Sequence, residues 1–441
     1  MKRISCRAIY AALIVLAIGC SGGHDPVSPS DDRTAQSFLN AIEVFGPNTN
    51  EDFDPFFHDI ALAQVCVAGP TNPGGEYLNQ LNHGCIAVTL NREDNHPANP
   101  FKPVFRWLDS DNYDTSESPV FYVCQRDVND PNEPADYRAP ACDAIYNPSG
   151  STLVNIQQNS IEVVVAYMVR NRSDWDNYPH WDIEATALQW TGDDVVDYWQ
   201  KEPTFRIPRY VTGGIPEEPD YSDYDEFNPD VAYNPATADV YVAYTDQEDA
   251  GGNYEYINYR KYTRYTNGIS GEYLGQTGGE DHNGYDPSID VGLVTYDLED
   301  LNWVIIAYTS QFQGGHMGFH VNITAWVAGN EWDHGTAPLD VRNPDFENMD
   351  AGLLCVDIAP DANALHVAAL TYTQVTGSDG FGPTTALFVV RFLGDIADLN
   401  THIPVEDPLT PQFADGLYSS MAINRQVDPD DDITASLAFM A

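Results

Sequence analysis

Three observations predict an all-β chain of repeated units: a phrase that recurs six times, strand-like runs between its copies, and no helical periodicity after residue 20. The copies are DIAL at 59–62, DAIY at 143–146, DVAY at 230–233, DVGL at 290–293, DAGL at 350–353 and SMAI at 420–423. Self-similarity of this kind indicates an array of equivalent structural units.

Each phrase opens a unit of three strand-like runs, which the third copy shows most clearly. After its phrase come a turn and then the runs Asp239–Thr245 and Tyr254–Tyr262. Both runs are β-branched or aromatic and are bounded by Gly, Pro, Asn and Asp, a pattern that predicts antiparallel strands. The next two units keep this order, and Tyr244, Tyr308 and Tyr372 recur at intervals of 64 residues.

Units of this size are typical of the blades of a β-propeller, so the sequence predicts a six-bladed β-propeller over residues 34–441. The last unit contains only two runs. We therefore expect Ala41–Phe45 to supply a further strand, so that N- and C-terminal strands close the ring and leave no open sheet edge. The alternative is a pair of β-sandwiches, which explains the strands but not the even repeat.

The first twenty residues indicate export. Three basic residues precede an apolar run at 8–18, which is too short for a membrane-spanning helix and has the form of a secretory signal. The segment Leu16–Cys20 resembles the lipobox of bacterial lipoproteins. This resemblance implies a signal peptide at 1–19, lipid attachment at Cys20, and a mature protein anchored in the outer membrane, periplasmic or at the cell surface. The small, polar, Pro- and Gly-containing residues that follow predict a flexible tether at 20–33. An ordinary cleaved signal is the alternative.

The charge is strongly negative, −47 from 67 acidic and 20 basic residues. Such a surface repels the phosphates of nucleic acids and anionic lipid headgroups. Nucleic acid is therefore excluded as a partner, and membrane contact is expected through the lipid anchor only. Two interpretations of the acid excess stay open: a solvated surface layer, or oxygen-rich sites for divalent cations.

The recurring acids are the candidate binding residues. If each phrase begins an innermost strand, their carboxylates point toward one rim of the central channel, where they would raise one another's pKa or gather a cation. The alternative is structural: each Asp accepts backbone N–H bonds at its own turn, and a feature repeated in every unit favours this role. These acids are Asp59, Asp143, Asp230, Asp290 and Asp350.

Asp-rich loops give a second hypothesis, in which Ca²⁺ is a possible cofactor, because calcium prefers several hard oxygen ligands. These loops lack the Gly and the closing Glu of the calcium-loop consensus. The candidate metal ligands are Asp109, Asp111 and Asp114 in one loop and Asp428, Asp430 and Asp432 in another.

Five cysteines follow Cys20, and an oxidising compartment favours their pairing. Neighbours in sequence predict one disulfide between Cys66 and Cys85 and another between Cys124 and Cys142. Cys355, in an apolar stretch, is then expected to be a buried thiol.

The runs NPDVAY at 228–233 and DPSIDV at 286–291 resemble the repeats of bacterial sialidase-like propellers. The Asp-box of that family, Ser-x-Asp-x-Gly-x-Thr-Trp, is absent from this sequence. Phe205–Pro208 matches the family phrase whose arginine contacts the substrate carboxylate, but it lies in the middle of the chain. The resemblance implies a glycan-cleaving activity as the alternative function.

No catalytic residue is assigned from the sequence, because Gly-x-Ser-x-Gly is absent and the histidines are scattered. The predicted function is a lipid-anchored cell-envelope propeller that acts as a binding or scaffolding module for protein or glycan partners. The alternative is a sialidase-like or glycosidase-like enzyme, which needs only two well-placed carboxylates.

Overall fold

The computed structural model describes 24 strands, together with residues 123, 225, 234, 237–239 and 349–350. This part of the chain contains no helix, so the predicted all-β class is confirmed. Accordingly, the described residues offer no helix that could span a membrane.

The strands form six antiparallel sheets. The first contains β2 (Ala61–Cys66), β3 (His83–Arg92), β4 (Phe101–Asp109) and β5 (Phe121–Tyr122). The second contains β6 (Pro134–Asn147), β7 (Ser160–Asn171), β8 (Trp181–Trp190), β9 (Trp199–Lys201) and β10 (Phe205–Arg206). The third contains β11 (Glu226–Tyr233), β12 (Val240–Gln247), β13 (Glu255–Tyr265) and β14 (Gly268–Gly278).

The fourth sheet contains β15 (Gly284–Tyr296), β16 (Glu299–Gln311), β17 (Met317–Val327) and β18 (Asn330–Asp333). The fifth contains β19 (Ala351–Ile358), β20 (Ala368–Ser378), β21 (Pro383–Phe392) and β22 (His402–Ile403). The sixth contains β23 (Ser419–Ile423), β24 (Ile433–Met440) and β1 (Leu13–Cys20).

The sixth sheet departs from the sequence prediction. Its third strand is β1, which pairs with β24 from Leu13 opposite Met440 to Cys20 opposite Ile433. The run Ala41–Phe45, predicted for this place, lies outside the described residues. An apolar run rich in Leu and Ile is compatible with a strand as well as with a secretory signal. The sequence predicts only the signal, because the run lies at the N-terminus behind basic residues and before Cys20.

The first strands of consecutive sheets contact one another. These contacts are β2 with β6, β6 with β11, β11 with β15, β15 with β19, β19 with β23, and β23 with β2. Between the sheets lie apolar cores, to which β12 contributes on both sides because its residues alternate in direction. Val240 and Val242 pack toward the second sheet, whereas Tyr241 and Ala243 pack toward the fourth.

A β-bulge interrupts the first strand of the second, third, fourth and fifth sheets, where one extra residue lies opposite the second strand. The register shifts lie between Arg138 and Ala141, Phe227 and Asp230, Tyr285 and Ser288, and Gly352 and Cys355. Each bulge lies opposite a buried tyrosine of the second strand, namely Tyr167, Tyr244, Tyr308 and Tyr372.

Three of these bulges contain a residue in the left-handed conformation directly before a proline. Their φ angles are 46° at Ala139, 47° at Asn228 and 47° at Asp286. A non-glycine residue adopts this conformation at a cost of about 1 kcal/mol, so the bulges direct these side chains to positions that a regular strand would not give them.

The bulge register corrects the alignment of the repeated phrase. Asp143 and Asp290 are equivalent, because they pair with the corresponding Val164 and Ile305 of the second strands. Asp230 instead pairs with Ala243, and its equivalent in the fourth sheet is Ser288, the partner of Ala307. The equivalent positions Asp230 and Ser288 are 58 residues apart while the opposing Tyr244 and Tyr308 are 64 apart, because β15 and β16 extend further from the bulge than β11 and β12 do.

Cys142 is buried within β6, and the predicted disulfide between Cys124 and Cys142 stays a prediction. Cys124 lies outside the described residues. Cys355 is half-buried, whereas a buried thiol is predicted there. Cys66 lies opposite His83, two residues from Cys85, so that pairing stays a prediction.

Candidate functional site

The recurring acids join neighbouring first strands. The Asp143 carboxylate accepts the backbone N–H of Ala144 on one oxygen at 2.7 Å and that of Tyr233, in the next sheet, on the other at 2.6 Å. Asp143 is buried, so both bonds replace lost hydration of the carboxylate. This side chain therefore connects the second and third sheets.

Asp230 connects the third sheet to the fourth. One oxygen accepts the N–H of Val231 at 2.9 Å, and the other accepts the Ser288 hydroxyl and the N–H of Ile289, both at 2.8 Å. Ser288 Oγ in turn accepts the N–H of Val356 in the fifth sheet at 3.0 Å. Burial raises the pKa of Asp230 to about 6, although the three donors act in the opposite direction.

The other predicted rim residues are placed differently. Asp290 is buried and accepts the N–H of Val291 at 2.7 Å. Asp350 is exposed, and its backbone carbonyl accepts the N–H of Val375 at 2.8 Å. Asp59 lies outside the described residues. The four described acids thus occupy three different register positions, because only Asp143 and Asp290 are equivalent. The structure does not bring them to one rim.

The predicted metal ligands lie mostly outside the described residues. Asp109 is the last residue of β4 and lies opposite Gly84. In the part of the chain that the structure describes, no group of three or more His, Cys, Asp or Glu side chains could hold a metal ion. Outside it lie Asp111, Asp114, Asp428, Asp430 and Asp432.

A different group of polar side chains lies at the bulges of β11 and β15. The side-chain amide of Asn228 donates a hydrogen bond to the carboxylate of Asp286. Both residues occupy the left-handed position of their bulges, and both are half-buried, so solvent reaches them in part. Glu255, the first residue of β13, is also half-buried and lies near enough to Asp286 for their charges to interact.

Both carboxyl groups favour the protonated state more than a solvated acid does. Burial raises the pKa of Asp286, while the hydrogen bond from Asn228 lowers it in part. Burial raises the pKa of Glu255 as well, and the nearby charge of Asp286 adds to the shift. Glu255 Oε2 is a buried oxygen without a hydrogen-bond partner. We call these two residues the Asp286–Glu255 pair.

Close packing of the third and fourth sheets brings the pair together. Gly284 lies two residues before Asp286, and a Cβ at this glycine would lie 2.8 Å from Cγ1 of Ile257. Ile257 lies two residues after Glu255 on the same face of β13. Ser310, opposite Gly284 on β16, is fully buried and its hydroxyl has no hydrogen-bond partner.

Sequence reasoning misses the Asp286–Glu255 pair. Asn228 and Asp286 fall within the runs that resemble sialidase-like repeats, but nothing there identifies them as paired across two sheets. The usable signal is a proline inside a strand pattern, since Pro229 and Pro287 mark bulges. Glu255 carries no local signal, because its position depends on how two sheets pack.

Comparison with known proteins gives similarity in structure only. No family model matches the chain, and no curated protein matches it in sequence. Similar solved structures include an α-L-arabinofuranosidase from Fusarium graminearum with an iminosugar inhibitor, at 11% identity and a TM-score of 0.44, covering 87% of this chain and 95% of that chain.

A levansucrase from B. megaterium aligns at 10% identity and a TM-score of 0.42, covering 76% of this chain and 82% of that chain. An α-L-arabinanase from Penicillium chrysogenum complexed with arabinobiose aligns at 10% identity and a TM-score of 0.38, covering 87% of this chain and 96% of that chain. These values are too low to transfer a residue role or an activity.

Proposed function

We propose that this chain cleaves glycosidic bonds with the Asp286–Glu255 pair. The observation that carries the proposal is the presence of two neighbouring, half-buried carboxyl groups whose pKa values are both raised. Hydrolysis of a glycosidic bond requires two carboxyl groups, one of which enters the reaction protonated. This arrangement favours an enzyme over the binding or scaffolding module that the sequence predicts.

The hydrogen bonds and charges around Glu255 and Asp286 indicate which of them donates a proton and which accepts one. Glu255 has an oxygen without a hydrogen-bond partner and lies beside a second acid, so it is the group that donates a proton to the departing sugar oxygen. Asp286 receives a hydrogen bond from Asn228, which favours its ionised form, so it assists the attack of water by accepting a proton. The glycosidic carbon–oxygen bond breaks as the bond to the water oxygen forms.

The substrate is a neutral glycan in this proposal. The net charge of −47 repels substrates that carry carboxylates, sulfates or phosphates. A neutral sugar ring avoids this repulsion and presents hydroxyl groups that carboxylates and the Asn228 amide can bind. Protein ligands without a negative surface remain compatible with the charge.

The fold in this proposal is a closed six-bladed β-propeller. It is supported by the six sheets and by the cyclic order of contacts between their first strands, which ends with β23 against β2. A propeller places long loops and strand ends around one central channel, where the bulges of β11 and β15 would lie.

Export and lipid attachment at Cys20 are part of the proposal, supported by the lipobox resemblance. Cleavage before Cys20 would remove all but the last residue of β1, so the mature sixth sheet would retain β23 and β24. An intact mass that begins at a lipid-modified Cys20 is expected for membrane-extracted protein. An unmodified chain that retains residues 1–19 would contradict this.

A panel of neutral aryl glycosides and polysaccharides tests the catalytic proposal. The released phenol and reducing sugar are measured as products. Glu255→Gln and Asp286→Asn should each lower turnover by at least about 100-fold, because each removes one proton-transfer group. Asp350→Asn, a change at an exposed acid, should keep turnover at the original level. Binding without any turnover by the unaltered protein would contradict catalysis and support a binding module.

A further inference from the structure

Two acidic residues hold the beginning of β11 against the beginning of β8 in the second sheet. The carboxylate of Asp225 accepts the backbone N–H of Trp181 at 2.8 Å. The next residue, Glu226, accepts the N–H of Ile183, two residues further along β8. Two successive side chains of the third sheet thus hold one strand of the second.

Glu226 lies directly opposite Asp246 in the β11–β12 register, so the two side chains share one face of the sheet. Glu226 is 4% exposed and Asp246 3%, so neither carboxyl group has water to stabilise its charge. A proton retained by Glu226 removes one of these two buried charges. Two ionised carboxylates at this place would repel each other in a medium of low dielectric.

Charged and polar groups of β8, β12 and β13 surround this pair. Asp182 of β8 adds a third acid, and Arg260 of β13 supplies positive charge. Arg260 Nε donates to the Tyr244 hydroxyl at 3.2 Å, and Asp246 accepts the Asn258 amide at 2.7 Å. Tyr262, also buried, completes the cluster. The acids exceed the single guanidinium, so one retained proton balances much of the difference.

We propose that Glu226 is a pH-responsive lock between the second and third sheets, which holds the start of β11 against β8 while Glu226 is protonated and loosens when Glu226 loses this proton and becomes a second buried charge opposite Asp246. Glu226 lies two residues before Asn228, so the lock also sets the position of the β11 bulge. The proposal stands whether or not the chain cleaves glycans.

The direction of the pH effect follows from linkage. Burial, and then the charges of Asp246 and Asp182, raise the pKa of Glu226 well above its ordinary value of 4.5. The folded state therefore retains a proton that the unfolded state has already lost, and stability falls as pH rises toward the folded-state pKa. Comparison of the unaltered protein with Glu226→Gln keeps this effect apart from that of Asp230, whose pKa is about 6, because Asp230 is present in both.

Urea unfolding of the full chain between pH 6.5 and 8.5 tests the lock. The unfolding equilibrium constant of the unaltered protein should rise with pH, by up to about tenfold per pH unit. Glu226→Gln, which imitates the protonated group, should remove this rise. Glu184→Gln should keep it, since Glu184 is a buried glutamate of β8 that lies opposite Arg206 in register.

An equal pH dependence in the unaltered protein and in Glu226→Gln would overturn the proposal. Where Glu226→Gln fails to fold, Asp246→Asn provides the second variant, and it should weaken the pH dependence by removing the facing charge. Hydrogen exchange gives an independent measurement on the unaltered protein. After correction for intrinsic exchange, protection of the Ile183 amide should fall as pH rises, and constant protection would contradict the lock.

Discussion

Individual acidic residues in this molecule act as connectors between sheets. Asp143 and Asp230 each accept backbone N–H groups from their own strand and from the next first strand. An innermost strand has one edge without a paired neighbour, and these carboxylates satisfy N–H groups at such an edge. The structural interpretation of the repeated acids therefore has direct geometric support at these two residues.

Asp230→Ala should destabilise the fold by about 2 kcal/mol or more, because it leaves the N–H groups of Val231 and Ile289 without their acceptor. Urea unfolding at pH 7 measures this. Asp350→Ala is the matched control and should change stability by less than about 0.5 kcal/mol, since Asp350 is exposed.

The same variant also carries a pH prediction. Because burial raises the pKa of Asp230 to about 6, its protonated form favours folding at low pH, and that contribution is lost as pH rises from about 4 through 6. Asp230→Ala should therefore lose part of the pH dependence of unfolding in this window. An unchanged pH dependence would show that Asp230 titrates alike in both states.

Among the elements, the bulged first strand and the tyrosine opposite it define the repeat. The bulge directs Asn228 and Asp286 toward each other across two sheets, and the buried Tyr244 and Tyr308 lie behind these bulges. A β-bulge changes the direction of a side chain relative to a regular strand. The candidate site thus depends on the bulged first strands as much as on the Asp286–Glu255 pair.

Gly284→Ala tests the packing that brings the Asp286–Glu255 pair together. Its Cβ would lie 2.8 Å from Cγ1 of Ile257, so the Ile257 side chain or the two sheets must shift, at a cost of about 1–3 kcal/mol. Gly352→Ala is the control, because its Cβ would meet Thr309 at an ordinary 3.5 Å. Thermal unfolding should distinguish the two variants, and equal transition temperatures would contradict the close approach.

Local patterns predict the inner strands of each unit well. The expected run Asp239–Thr245 corresponds to β12, and Tyr254–Tyr262 corresponds to β13, because both are rich in β-branched and aromatic residues. Strand β14, with the sequence GISGEYLGQTG, is not predicted, since its glycines weaken the strand pattern. The Asp286–Glu255 pair is not predicted either, because its two residues come together only through packing of separate sheets.

At the scale of the whole molecule, six sheets and a large negative charge constrain function together. We expect the charge to disfavour polyanionic partners. The first strands contact one another in cyclic order, with β23 next to β2. The proposed ring closure would protect strand edges that an open array would expose. The proposed site requires this closure only locally, between the third and fourth sheets.

A crystal structure of the chain beginning at Cys20 tests the central claim most directly, because it shows both the arrangement of the sheets and the fate of the sixth one. The account predicts six sheets around one axis, with β23 beside β2 and the Asn228 amide bonded to Asp286. An open stack of sheets, or two separate β-sandwiches, would contradict it.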